Sequence, residues 1–246
     1  MSGHSKWSTI KRKKGALDAK RGKIFTKIIK EIIIAAKEGG ADPEMNARLR
    51  LAIQNAKGAN MPKDNIERAI KKAAGSEAES YVEANFEGYG PCGVAIFVEC
   101  LTDNNNRTVS SVRAAFNKHG GNLGTKGSLS FVFESKGVFT VSNEDIDLEN
   151  LELEMIDAGA QDLEVDGDTI TITCAKEDFG NVNRKLIDLG IEPEEAGLKR
   201  VPNDLKKLDV ESARKVLRLI ATLEDDDDIQ NVYHNMEMTD ELAEAL

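Results

Sequence analysis

The stretch DLEVDGDTITITC (Asp162–Cys174) reads as two strands joined by a tight turn. Asp166-Gly167 is the signal, because two-residue hairpin loops need backbone angles that Gly and Asp tolerate. On the N-terminal side a helix carries Leu148, Leu151 and Met155, preceded by a strand at GVFTV (137–141). On the C-terminal side a helix carries Phe179, Val182 and Leu186, is closed by Gly190, and leads to a strand near Leu198–Val201. The order is β-α-β-β-α-β, that of a ferredoxin-like sandwich.

Working outward, GVAIFVECL (93–101) reads as a buried strand. A helix with Val109, Val112 and Phe116 follows, closed by Gly120-Gly121. SLSFVFE (128–134) alternates Leu129, Phe131 and Phe133 with less apolar residues, which predicts a half-buried strand. Near the C-terminus stand one helix (Ala213, Val216, Leu217, Ile220, Leu223) and one strand, IQNVYH (229–234). Alone these two cannot bury a core. Added to the earlier β-α-β they complete a split α/β domain with the six-element unit inserted.

The first 22 residues lack a sustained apolar period and read as an arm. From Lys23, Ile24, Phe25, Ile28, Ile29, Ile32 and Ile33 recur at helical spacing with lysines opposite, and Gly39-Gly40 stops the helix. A second helix after Asp42-Pro43 turns Leu49, Ala52, Ile53 and Ala56 inward. A third, opened by Pro62, does so with Ile66, Ala69, Ile70 and Ala73. GSEAES (75–80) is the linker. The expected fold is α+β and multidomain: a basic arm plus three-helix domain over 1–77, a discontinuous α/β domain over 81–135 and 204–246, and a ferredoxin-like α/β domain inserted over 136–203.

Charge divides the chain as sharply as pattern does. Residues 1–75 carry 18 Lys and Arg against 7 Asp and Glu, whereas residues 76–246 carry 15 against 36. A pI of about 5.0 conceals this division. Such segregation points to a polyanion-binding end on a body that repels polyanions. Apolar runs reach five residues, as at Ile32–Ala36, far below the roughly 20 a membrane helix needs. No secretory leader pattern is recognisable, and three cysteines without C-x-x-C spacing fit reduced thiols. Both suggest a cytoplasmic protein without a membrane partner.

The basic run offers phosphate ligands: Lys11, Arg12, Lys13, Lys14, then Lys20, Arg21, Lys23, Lys27 and Lys30. His4, Ser5, Lys6 and Trp7 precede it, and Trp7 is a ring that can stack on an unpaired base or pin the arm to the body. The second and third helices could form a helix-turn-helix exposing Lys63, Asn65, Glu67, Arg68, Lys71 and Lys72. GGNLGTKGS (120–128) fails as a Walker loop, since it follows a helix and leads into a strand, with Lys126 before Gly127. It reads as a helix stop with a turn, or as a loop offering backbone N–H groups, Asn122 and Lys126 to RNA. EDDDD (224–228) lacks the spaced ligands of a calcium loop and reads as a solvated turn. His4, His119 and His234 lie in separate elements. No catalytic constellation, metal set or cofactor motif emerges.

GHSKW (3–7), DAKRGKIFTKIIKEI, RLRLAIQNAK, NMPKDNIERAI, EGYGP, DNNNRTVSSVR, GGNLGTKGS and DIQNVYHN together resemble the YebC-type family, along the whole chain. Its mitochondrial relatives include the translational activator of cytochrome oxidase. The resemblance implies a helical domain followed by two α/β domains. It also implies a role in gene expression, as a transcriptional regulator binding DNA or as a factor acting on the ribosome through difficult stretches such as consecutive prolines. By position it makes Gly3–Trp7 and the basic run the nucleic-acid-facing residues, with Asn122–Gly127 a second surface. Cys92 departs from a frequent glycine, and Asn105 from a frequent basic residue.

The expectation is therefore a non-enzymatic regulator. Its favoured partner is the ribosome with ribosomal or transfer RNA, because an acidic body opposes lying along duplex DNA while a thin basic arm suits an RNA crevice. Duplex DNA is the alternative partner.

Overall fold

The computed structural model describes residues 17–75, 80–239 and 242. In chain order the helices are α1 (Leu17–Gly39), α2 (Ala47–Gly58), α3 (Lys63–Ala74), α4 (Asn105–Lys118), α5 (Leu148–Asp157), α6 (Phe179–Asp188) and α7 (Val210–Glu224). The strands are β1 (Val82–Tyr89), β2 (Ala95–Thr102), β3 (Asn122–Leu123), β4 (Phe133–Ser142), β5 (Ala160–Asp166), β6 (Thr169–Ala175), β7 (Glu195–Pro202) and β8 (Ile229–His234). This α+β chain forms two compact units. One gathers residues 17–27, 80–134 and 200–239, the other residues 28–75 and 135–199.

In the unit built on residues 28–75 and 135–199, the strands lie in the order β5-β6-β4-β7, the ferredoxin-like arrangement. Asp166 pairs with Thr169, and Gly167 takes a left-handed φ of 59° in the loop between them. Leu151 and Met155 of α5 and Val182 and Leu186 of α6 pack on Phe139, Ile170 and Ile172. Each such fully buried side chain contributes about 1.5–3 kcal/mol of transfer free energy. The helices of this unit attach through α2, where Leu51 packs against the same core. The side chain of Asn46 ties α1 to α2. Its Oδ1 accepts from the Leu49 amide at 3.0 Å, while its Nδ2 donates to the carbonyls of Ala35 at 2.7 Å and Gly40 at 2.8 Å.

In the other unit the sheet order is β3-β1-β2-β8. One face is covered by α4 and α7, with Ile96, Val98 and Cys100 against Val112, Phe116, Val216 and Ile220. The opposite face carries a smaller cluster of Ala95, Phe97, Leu129, Phe133 and Tyr233. The Arg200 guanidinium lies 4.9 Å from the Phe97 ring centre. In the β1–β2 hairpin Cys92 and Gly93 are both left-handed, at φ 58° and 69°.

Four features differ from the sequence reading. Helix α1 begins at Leu17, and its lysines do not form a solvated face: Lys30 is buried, Ile24 is exposed, and Ile32 to Ala36 are all buried. Five consecutive buried residues, Ile32 to Ala36, take in every face of that stretch, so the stripe on which that reading rested does not hold there. Strand β1 went unrecognised, because only Ala84 and Phe86 of its residues pack against the main core. Residues 126–132 are consecutive turns, and the strand begins at Phe133. Leu129 and Phe133 are buried but Phe131 is 73% exposed, so the two-residue alternation in SLSFVFE was coincidental. Finally, the acidic run is no solvated turn throughout, since Asp228 is buried.

Candidate nucleic-acid interface

Of the predicted contact residues, His4, Ser5, Lys6, Trp7, Lys11, Arg12, Lys13 and Lys14 lie outside the described residues, and Lys20 is described only as part of α1. Arg21 is exposed, with its guanidinium 5.7 Å from the Phe25 ring centre. Lys23 forms an ion pair with Asp225 and donates to the Asp225 carbonyl at 3.1 Å. Lys27 donates to the Glu224 carbonyl at 3.3 Å. These acceptors close α7, where the helix dipole and unpaired carbonyls favour cations. Two predicted phosphate ligands are thus held by an acidic helix end within their own unit.

The rest of the acidic run is also engaged. Asp228 Oδ2 accepts from the hydroxyls of Thr102 at 3.1 Å and Thr108 at 3.0 Å, and from Arg107 Nη2 at 2.7 Å. Arg107 also pairs with Asp103 at 2.6 Å, and these hydrogen bonds, Asp228 first, hold it more firmly protonated. Ser111 donates to Asp226 at 2.6 Å. Burial, reinforced by Asp226 and Asp228, pushes the neighbouring Cys100 thiol up to about 12. His119 closes α4 with Nε2 at 2.9 Å from the Thr222 hydroxyl. Its pKa is lowered, by burial and then by Lys118 and Arg218, opposite to what its helix end alone would do. Among the described residues no group of three or more His, Cys, Asp or Glu is arranged to hold a metal ion. A cleft between α4 and α7 has a volume of about 210 Å³, below the range of most small-molecule sites.

The glycine loop is built against β1. Asn122 pairs with Tyr89 in register, and both are exposed, as are Gly124 to Gly127. The close approach depends on missing side chains. A Cβ on Gly88 would come within 2.6 Å of the Asn122 carbonyl oxygen, and one on Gly121 within 2.7 Å of the Tyr89 carbonyl oxygen. Glu87, buried on the face opposite the helices, accepts from the Gly127 amide at 2.8 Å and the Leu129 amide at 2.7 Å, and its carbonyl accepts from Gly124 at 2.7 Å. The amides of Gly124 and Gly127, which sequence alone could offer to RNA, are therefore donated inward. Asn122, Thr125 and Lys126 are the loop's exposed polar residues, and Lys126 is its one cation.

Sequence reasoning missed Glu87 and the exposed Phe131. The signal for Glu87 was available, since a carboxylate beside Gly88 and Gly90 in EGYGP calls for buried donors. On α3, Lys63, Arg68, Lys71 and Lys72 are exposed, but Arg68 folds back on its own helix, donating to the Asp64 carbonyl at 3.1 Å.

Comparison with known proteins agrees with the order of elements. Residues 5–76 match the model of the TACO1/YebC protein N-terminal domain, and residues 81–236 match that of the TACO1/YebC second and third domain. A "probable transcriptional regulatory protein" of Rubrobacter xylanophilus is 52% identical over 244 residues, covering 98% of each chain. One of Persephonella marina is 51% identical over 249 residues, covering all of both. The crystal structure of the conserved hypothetical protein Aq1575 from Aquifex aeolicus superposes with a TM-score of 0.83 at 44% identity, covering 91% of this chain and 93% of that one. With both family models matched across nearly its whole length, the chain belongs to the TACO1/YebC family.

Proposed function

We propose that this protein is a non-enzymatic, nucleic-acid-binding regulator of gene expression. In this reading it acts in the cytoplasm on the ribosome, contacting ribosomal or transfer RNA and relieving difficult elongation such as at proline runs. The observation that carries the reading is the charge division, a net +11 over residues 1–75 against −21 over the rest. A basic end neutralises phosphates and releases their counterions, while the acidic body disfavours long contact with a duplex. Relatives called probable transcriptional regulatory proteins support a regulator that works on nucleic acid, and their name favours duplex DNA as the second reading.

Ultraviolet crosslinking in growing cells, followed by sequencing of the attached nucleic acid, separates the two. Reads concentrated in ribosomal and transfer RNA are expected. Reads concentrated in promoter DNA, with RNA at background, would make the protein a transcription factor.

A further inference from the structure

We propose that Glu87 is a positioning residue that presents Lys126, at the exposed tip of the glycine loop, to a nucleic-acid phosphate; this rests on the nucleic-acid reading above. Successive backbone N–H groups around left-handed glycines form a concavity suited to an anion. Here the left-handed glycine is Gly127, at φ 89°, and its amide meets the Glu87 carboxylate. The anion in the concavity is the protein's own, because Glu87 directs one carboxylate oxygen to Gly127 and the other to Leu129. Its main-chain oxygen takes the amide of Gly124 as well. Lys126 therefore lies between two anchored positions, 124 and 127, with its own residue exposed. A loop held this way avoids the ordering cost that a free glycine-rich segment bears on binding. It offers phosphate a single ammonium rather than a cradle of amides.

The sign of one substitution separates positioning from simple electrostatics. Glu87→Gln removes a negative charge, which by itself would tighten binding to a polyanion. It also turns an NH₂ group toward a loop amide and breaks one anchor, which loosens Lys126.

The test uses the full chain with purified transfer RNA and a random DNA duplex as probes, over a range of salt. Lys126→Ala should weaken binding about fivefold and flatten the salt slope by roughly 0.7–0.9, the loss of one phosphate contact. Glu87→Gln should weaken binding to a similar extent, and should add less than a further twofold in the Lys126→Ala background. A purely structural role would give additive losses instead. Should Glu87→Gln fail to fold, Gly127→Ala carries the same test, since a Cβ there meets open space and only the left-handed backbone is strained. If the unaltered protein binds neither probe, the nucleic-acid reading fails and this inference with it. If it binds but Lys126→Ala is silent, or Glu87→Gln binds as well or better, the inference alone is overturned.

Discussion

Asn55 and Ala196 are paired like residues of neighbouring strands: Asn55 Nδ2 donates to the Ala196 carbonyl and Asn55 Oδ1 accepts from the Ala196 amide, both at 2.8 Å. Ala196 lies on β7, the last strand of its sheet, so a side chain from α2 satisfies backbone groups that no strand reaches. Next to it, a Cβ on Gly58 would overlap the Glu194 carbonyl. Asn55→Ala should cost about 1–3 kcal/mol, since it strands a donor and an acceptor in a half-buried position. Urea unfolding of the full chain measures it, and a change below 0.5 kcal/mol would mean that water replaces the pair.

Cys92 occupies a left-handed conformation, φ 58° and ψ 17°, that a side chain disfavours. Cys92→Gly should therefore stabilise the hairpin by up to about 1 kcal/mol, the relieved strain exceeding the added unfolded-state entropy. A lower melting temperature would show that the Cys92 side chain makes a net favourable contact.

Asp228 gathers Thr102, Thr108 and Arg107 where α4 begins. Replacing it with alanine takes the acceptor from the fully buried Thr102 hydroxyl and one of two carboxylates from Arg107, and should destabilise by about 3 kcal/mol. Asp225→Ala, at an exposed position of the same run, should have little effect on stability. Equal losses in the two variants would contradict the assigned roles.

His234 is fully buried, and that burial lowers its pKa to about 4. Its neutral form is therefore favoured in the folded state. The contribution is complete above the unfolded pKa of about 6.5 and is lost as pH falls from there toward 4, by at most about 3 kcal/mol. Unfolding free energies at pH 7.5, 5.5 and 4.5 should fall more steeply for the natural protein than for His234→Leu. Parallel curves would place the proton uptake elsewhere.

Replacing Lys11, Arg12, Lys13 and Lys14 together with alanine should weaken RNA binding and flatten its salt dependence by about 3–4, roughly one per lost phosphate contact. An unchanged slope would mean that these four residues never touch phosphate.

Much of the architecture is legible in local pattern. The hairpin at Asp166-Gly167, the stripes of α5, α6 and α7, and the glycine stops at Gly39-Gly40 and Gly120-Gly121 are all short-range signals: turn chemistry and periodic burial act over a few residues. They carried the expectation of a ferredoxin-like unit, which the order β5-β6-β4-β7 matches, while the charge division carried the expectation of a polyanion-binding end.

What failed was long-range. Strand β1 becomes a strand by pairing with β2, and Phe131 faces outward because the turns over 126–132 replace an alternation that its spelling suggested. The candidate site divides in the same way. That residues 1–75 are basic is a property of the chain, but where a charge is directed depends on partners far along it. Lys23 meets Asp225 across 202 positions, and the loop amides of Gly127 and Leu129 meet Glu87 across about 40. Sequence alone determined most of the elements, their order and the sign of each end. Only the tertiary structure decided which lysines are matched by carboxylates and which way the glycine loop turns its amides, because an ion pair or a buried hydrogen bond depends on distance in space rather than along the chain.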